Sequence, residues 1–420
     1  APASYRTVAG IEPRELQLPE TAPPLPQAGD SSLRLLRRIG DGIDPTSLAA
    51  YGDFELLRRA RELGAEAVIR EVTESKLLGR GGAAFPTGVK WAAVAKQPAQ
   101  PHYVVCNADE SEPGTFKDRI LMESDPFALI EAIAIEAFAT GSEQAFIYVR
   151  AEYPLAHARL RNAIGQSRDR LDGLEIELRI GAGAYVCGEE TALFQSIEGY
   201  RGEPRNKPPF PVEFGLFGKP TAVNNVETLF NVLEVLRDGA AAYAQTGTEG
   251  SAGTRLFCVS GCVERPGLYE LPFGATLREL LDLAGAAPPK AVLLGGAAGA
   301  FVGPDLLDLK LTHEDTRAAG VTLGSGVVIV YDEDADLVAP LLRIAEFFRD
   351  ESCGQCVPCR VGTVRQEEAL KRLAAGRPHE DELATLAELA QVMRDASICG
   401  LGQTAASAIE SAIANLGVFA

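Results

Sequence analysis

The chain is short of the residues on which much single-protein chemistry rests. Only four of its 420 residues are histidine, His102, His157, His313 and His379, and none stands beside a cysteine or another histidine. A histidine metal site or a histidine-containing catalytic triad therefore has little support. No run approaches the roughly 18 apolar residues of a membrane span. The nearest stretch, ALIEAIAIEAFA, is interrupted by Glu131 and Glu136. Basic residues are outnumbered 40 to 58, and the net charge of −18 argues against nucleic acid or direct membrane insertion. The opening APASYRTVAG has neither the basic start nor the apolar centre of a signal peptide, so a cytoplasmic location is expected. Absent too are the dinucleotide fingerprint G-x-G-x-x-G after a first strand and the phosphate loop G-x-x-x-x-G-K-S/T.

What remains is ordinary globular stock, 46% hydrophobic and 23% charged, enough for roughly two to four domains. Its most informative feature is the run SCGQCVPCR, which holds Cys353, Cys356 and Cys359, followed by Cys399 in SICGLG. Three thiolates from one tight loop with a distant fourth is how an iron–sulfur cubane is usually gripped. The competing reading is a structural zinc, whose usual grammar is two separated C-x2-C knuckles. Gly354, Pro358 and Gly362 favour the cluster, because irregular backbone leaves amide N–H groups free to point at sulfur. The other cysteines, Cys106, Cys187, Cys258 and Cys262, are scattered, and Cys258 and Cys262, on the same side of one strand, read as small buried residues.

Residues 1–50, rich in proline and polar side chains, read as an extended arm on a partner or on the body. From 51 to 247 helical and strand-like segments alternate, which implies an α/β sandwich with a parallel or mixed sheet. One helix is expected across DFELLRRARELGAEAVIREVTES, with Leu56, Leu57, Ala60, Leu63 and Val68 near one face. Residues 248–334 form a small mixed fold resembling a ubiquitin-like β-grasp, and 335–420 a four-helix bundle. The cysteine run falls after the first bundle helix and Cys399 before the last, so the two can meet.

Two glycine-rich segments stand out. Gly79 to Gly88, ahead of Lys90 and Trp91, lets backbone amides approach a phosphate or ring, with Lys90 as a nearby cation. GAGAYVCGEET, from Gly181, runs into a helix with Glu189 and Glu190 at its start, where two carboxylates also serve the helix dipole. Between and after them lie NADESEPGT from Asn107, KPPFP from Lys207 and NNVET from Asn224. Each alone is turn chemistry. Together they supply carboxylates for sugar hydroxyls, amides and a lysine for phosphates, and aromatic faces for flat rings.

These segments resemble, in order and over roughly residues 70 to 420, the flavin-bearing, NADH-oxidising subunit of respiratory complex I. Its relatives serve NAD-linked formate dehydrogenases and NAD-reducing hydrogenases. The matching motifs are GRGGAAFPTGVKW, NADESEPGTFKDR, GAGAYVCGEETAL, NKPPFP, AVNNVETL, ESCGQCVPCR and SICGLG. The resemblance implies that Gly79, Arg80, Gly81 and Lys90 hold the phosphate and ring of FMN. Asn107, Asp109, Glu110 and Ser111 would bond its ribityl and ring atoms, and Tyr185, Gly188, Glu189, Asn224, Asn225 and Thr228 complete the pocket. For NAD(H), Phe85 and Phe210 resemble the ring-stacking residues, Lys207 the phosphate partner, and Glu112 and Glu190 the ribose contacts. Cys353, Cys356, Cys359 and Cys399 resemble the ligands of a single 4Fe-4S cluster. Ala92 and Ala93 depart from the aromatic that complex I members often carry after the Lys-Trp pair, which removes an adenine-side stacking partner.

The implied activity is hydride transfer between NAD(H) and FMN, then one-electron passage to or from the cluster. Carboxylates near the ribose predict NAD over NADP, with Glu190 as main discriminator. No extra ferredoxin-like cysteine sets are present, so the chain resembles the short form of the family. GRGGAAFPTG and Ala92-Ala93 look closer to formate dehydrogenase or hydrogenase diaphorase subunits than to complex I. The beta subunit of a NAD-dependent formate dehydrogenase is expected, with complex I and hydrogenase diaphorase subunits as alternatives. Expected partners are a small 2Fe-2S thioredoxin-like subunit and a larger iron–sulfur subunit. In a complex I the chain would sit peripherally at the inner face of the membrane. From another class, a zinc-stabilised, non-enzymatic scaffold remains the rival.

Overall fold

In a computed structural model, the structure describes residues 23–419. Two sheets organise them. The first has the order β3-β2-β1-β4 and is parallel throughout: β1 (His102–Ala108), β2 (Ser142–Arg150), β3 (Glu175–Gly181) and β4 (Thr221–Asn225). The apolar run Val104-Val105-Cys106 suits a strand covered on both faces. Chain order reverses between β1 and β4, and register pairs Asn107 with Asn225 and Cys106 with Asn224. The crevice beyond the carboxyl ends of these two strands is where open α/β sheets bind ligands.

Behind the sheet runs the helix Pro126–Thr140, buried almost all round, started by a proline and closed by Gly141 in the left-handed conformation. The helix expected across residues 53–75 is two helices, Glu55–Leu63 and Ala65–Glu74, because Gly64 takes φ 87° between them. The break turns Leu63 out to solvent while Leu57, Ala60 and Val68 stay buried. Residues 23–50 lie on the body, with Leu33, Leu35 and Leu36 buried. The buried carboxylate of Glu270 accepts backbone N–H groups from Arg34, Leu35 and Leu36. Residues 1–22 of the expected arm lie outside the described residues.

The second sheet is mixed, with order β6-β5-β9-β7-β8: β5 (Thr254–Gly261), β6 (Gly267–Pro272), β7 (Ala291–Leu294), β8 (Ala300–Val302) and β9 (Val327–Tyr331). Its helix Leu277–Ala284 starts on a capping box in which Thr276 and Glu279 exchange hydrogen bonds. Because β5 ends at Gly261, Cys258 is buried but Cys262 falls past the strand and is exposed, contrary to the expectation of two buried cysteines. The chain closes with helices Val338–Glu351, Val357–Ala374, Glu382–Ala396, Gly400–Thr404 and Ser407–Leu416. Phe348, Met393 and Ile409 from these helices share one core with Val105, Phe146 and Phe194 of the first sheet layer. No helix among the described residues is long and apolar enough to cross a membrane.

Candidate functional site

Two adjoining chambers open at the switch between β1 and β4. The first, about 600 Å³, is lined by Gly79, Gly81, Phe85, Lys90, Asn107, Gly188, Glu189, Glu190, Lys207, Phe210, Asn224, Asn225 and Thr228. Phe85 and Phe210 are 51% and 53% exposed, an unusual state for large apolar rings that line a cleft. The second, about 410 Å³, shares Gly81, Asn107, Gly188, Glu189 and Asn225 and adds Asp109, Glu110, Ser111, Glu112, Tyr185 and Cys399. Thus residues from segments far apart in sequence meet in one cleft, and that cleft reaches a cysteine of the late quartet.

Glycine makes the floor. A Cβ on Gly81 would lie 3.1 Å from the Asn225 side chain, so any other residue there would make Asn225 give way by a few tenths of an ångström. Asn225 starts the helix Val226–Asp238 by accepting the Glu227 N–H at 3.0 Å, and its amide donates to Asp118 at 2.6 Å. Glu189 caps the helix Glu190–Ile197, accepting from Thr191 and Ala192 at 2.9 Å. Its other oxygen and Glu190 both take Lys207 Nζ, at 2.9 and 2.7 Å. Burial works against the Lys207 charge, but the two carboxylates prevail and raise its pKa. Lys90 Nζ donates to the Val223 carbonyl at 2.6 Å, and burial lowers its pKa against the pull of Glu190 and Glu136.

Not every expected side chain faces the cleft. Arg80 is fully buried, its guanidinium donating to Leu78 O and Ala252 O and lying 4.6 Å over the Phe273 ring. It lines neither chamber; its backbone N–H donates to Thr228 Oγ1 at 2.8 Å. The Glu110 carboxylate turns into the protein, accepting the N–H groups of Asp118 and Arg119 at 2.9 Å at the start of the helix Lys117–Ser124. Glu112 accepts from Tyr185 Oη at 2.8 Å and from the Ala298 N–H at 2.9 Å, a loop beside the second sheet. That loop and residues 322–325 form a wall of the second chamber. Sequence reasoning named none of it, nor Lys117 and Asp118, which also line the chamber.

The cleft fits a polar, phosphate-bearing aromatic group. Both carboxylate oxygens of Asp109 and the Ser111 hydroxyl are buried without partners, a costly arrangement that the hydroxyls of a bound ligand would relieve. Burial first pushes the Asp109 pKa up to about 7, with Ser111 and Arg150 opposing.

Cys353 and Cys356 sit in the loop before the helix Val357–Ala374, Cys359 in its first turn, and Cys399 is the N-cap of Gly400–Thr404. The thiols are near enough for Cys356, Cys399 and Cys353 to raise the Cys359 pKa, after burial, to about 11. Among the described residues, however, no three His, Cys, Asp or Glu side chains converge on one ion-sized position. N–H groups of Leu401 and Gly402 point at Cys399, whose pKa burial raises. A Cβ on Gly402 would lie 2.8 Å from Cys359 Cβ, so only glycine lets the two cysteine segments come this close.

Comparison with known proteins agrees. Residues 72–234 match the family described as the Nuo51 FMN-binding domain, 256–297 the SLBB domain, and 339–417 the NADH-ubiquinone oxidoreductase-F iron-sulfur binding region. The second F-type subunit of NADH-quinone oxidoreductase from Rhizobium meliloti is 42% identical over 90% of this chain and 94% of its own length. The NADP-reducing hydrogenase protein HndC of Solidesulfovibrio fructosivorans is 41% identical over 89% and 79%. A crystal structure of an NAD+-reducing NiFe-hydrogenase in the H2-reduced state superposes with TM-score 0.82 at 38% identity. The superposition covers 87% of this chain but only 64% of that one. The chain therefore belongs to the family of NADH-quinone oxidoreductase F-type subunits and their hydrogenase relatives, oxidoreductase flavoproteins with an FMN-binding domain and a 4Fe-4S region.

Proposed function

We propose that the chain is the NAD(H)-oxidising or NAD+-reducing subunit of a multi-subunit complex, with FMN in the paired chambers and the cluster on Cys353, Cys356, Cys359 and Cys399. The observation that carries this is the second chamber, whose lining holds Asn107, Asp109 and Tyr185 together with Cys399. Bound FMN supplies the exchange between a two-electron hydride and single electrons that a nicotinamide and an iron–sulfur cluster each require. The chain's own work is position and charge. Phe85 and Phe210 offer faces for flat rings at the mouth, and Lys207, held between Glu189 and Glu190, sets a cation there. Tyr185 lines the same chamber as Cys399. Its hydroxyl holds Glu112, its N–H donates to Glu351 at 2.8 Å, and its ring meets Phe347 with centroids 5.1 Å apart. No side chain need act as general acid or base.

Glu190 is the proposed discriminator between NADH and NADPH. A carboxylate at the ribose repels the extra phosphate, and its partner Lys207 is already paired. Glu190→Gln removes the repulsion and leaves Lys207 paired with Glu189 alone. The ratio of NADPH to NADH activity should rise about tenfold, worth about 1.4 kcal/mol; an unchanged ratio would sink the assignment. That HndC is named NADP-reducing makes this position the one to test.

For the parent complex we propose a NAD-dependent formate dehydrogenase, on GRGGAAFPTG and the Ala92-Ala93 pair. Complex I is favoured by the relatives named for NADH-quinone oxidoreductase, and a hydrogenase by the superposed structure. In each case a small 2Fe-2S thioredoxin-like subunit and a larger iron–sulfur subunit are the proposed partners. We further propose four units: an arm at 1–50, a flavin unit at 51–247, a β-grasp unit at 248–334 and a four-helix cluster unit at 335–420. Co-purification of the chromosomally tagged chain tests the assembly. A formate-oxidising subunit in the eluate supports the first choice, and quinone-reductase or hydrogenase subunits refute it.

A further inference from the structure

Beneath the floor of the first chamber lies a carboxylate that the proposed function does not use. Glu136, on the helix Pro126–Thr140, is fully buried. The helix carries another acid, Glu131, whose role is plain. Its two oxygens accept the Tyr51 hydroxyl and the Leu57 N–H, the latter at 2.9 Å. Glu136 has no such structural task. Its Oε1 accepts from Asn224 Nδ2 of β4, and its Oε2 is buried with no hydrogen-bond partner, close to the equally unpartnered indole N–H of Trp91. A carboxyl group in the dry interior is costly, and an apolar side chain on this helix would avoid that cost. The one bond it makes is to a residue that lines the chamber.

That bond has a direction. Asn224 donates its NH2 inward to Glu136 Oε1, a direction enforced when the carboxylate is ionised and can only accept. Burial pushes the Glu136 pKa up to about 8, with Asn224, Lys90 and Trp91 opposing, so the assays are run above that pH. The amide oxygen is then the atom left for the chamber, as an acceptor and not a donor. Lys90, which lines the same chamber, feels the Glu136 charge but donates to the Val223 carbonyl, one residue before Asn224. The strand end is thus pinned from two sides.

We infer that Glu136 is a positioning residue for the flavin, fixing Asn224 so that its side-chain carbonyl faces the bound ring system as a hydrogen-bond acceptor. The inference rests on FMN occupying this cleft. The measurement is FMN binding to apoprotein, by quenching of flavin fluorescence, with the flavin midpoint potential read on the reconstituted chain. Glu136→Gln can present either its NH2 or its carbonyl to Asn224, so the orientation is no longer enforced. The dissociation constant should rise about tenfold, as for one lost hydrogen bond, and the potential should shift with it. In an Asn224→Ala background the same substitution should change neither. Assayed at a pH where both acids are ionised, Asn224→Asp sets acceptor against acceptor and should bind FMN poorly; adding Glu136→Gln supplies the missing donor and should restore binding.

If Glu136→Gln leaves both affinity and potential unchanged, or weakens binding equally with and without Asn224, the inference is wrong. If Glu136→Gln alone fails to fold, the comparison of Asn224→Asp with the double variant decides: no rescue by the second substitution overturns it. Failure of the unsubstituted chain to bind FMN at all would instead overturn the proposed function.

Discussion

Replacing Cys399 with serine is expected to empty the iron–sulfur site while leaving NADH able to reduce the bound flavin. The other three thiolates come from one short stretch, with Cys353 and Cys356 in a loop and Cys359 in the following helical turn. Cys399 alone comes from the segment after the helix Glu382–Ala396. A hydroxyl is a poor substitute for a thiolate, and three ligands on one side leave the cluster open to solvent. Iron should fall from four per chain, as the 4Fe-4S region implies, to below about one, and electron delivery to a partner subunit or one-electron acceptor by more than about 100-fold. Iron analysis and single-turnover reduction by NADH check the two halves separately. Full iron retention would show that Cys399 is not a ligand.

The largest effect on stability is expected from Lys117→Met. Lys117 is buried between two carboxylates, Asp118 at 2.7 Å and Glu227 at 3.0 Å, and all three side chains are almost inaccessible. Glu227 also accepts the Leu256 N–H of β5 at 2.9 Å, and Asp118 accepts from Asn225 in the cleft. The lysine therefore ties the first sheet to the second and to the chamber floor. Removing it leaves two buried acids facing each other, a change that costs about 3–5 kcal/mol. Burial opposes the Lys117 charge, but Asp118, Glu227 and Glu110 outweigh it and raise its pKa. A raised lysine stabilises fully below its unfolded value of about 10.4 and loses that only as pH climbs through the folded one. Lys117 also opposes the burial that pushes the Glu110 pKa up to about 7, so without the lysine that acid is harder still to ionise. The loss measured by urea denaturation should therefore be larger at about pH 9 than at about pH 6. Adding Glu227→Gln should recover part of it. A loss under about 1 kcal/mol would mean that solvent reaches the cluster of charges.

The chemistry was legible where it is written in consecutive residues. Three cysteines within seven positions can only come from one loop or turn, and the asparagines at 107, 224 and 225 were visible as motifs before β1 and β4 placed them side by side. Less legible was direction. Arg80 stands in a motif that faces the cleft, yet its guanidinium goes inward because carbonyls and the Phe273 ring satisfy it there. Glu110 likewise uses its carboxylate to cap a helix. The wall contributed by Gly295, Ala298 and residues 322–325 had no local signal, since those loops reach the cleft only through long-range packing. Gly64 and Cys262 show the same limit at smaller scale: periodicity marks the apolar face but not the residue where an element stops.

An anaerobic titration of the purified chain with NADH, following flavin absorbance and the paramagnetic signal of a reduced cluster together, tests the central claim most directly. The expected result is one FMN and four irons per chain, flavin bleaching by NADH, and a cluster signal that grows from the same electrons. A colourless protein with one zinc, or flavin bleaching that never populates the cluster, would contradict it.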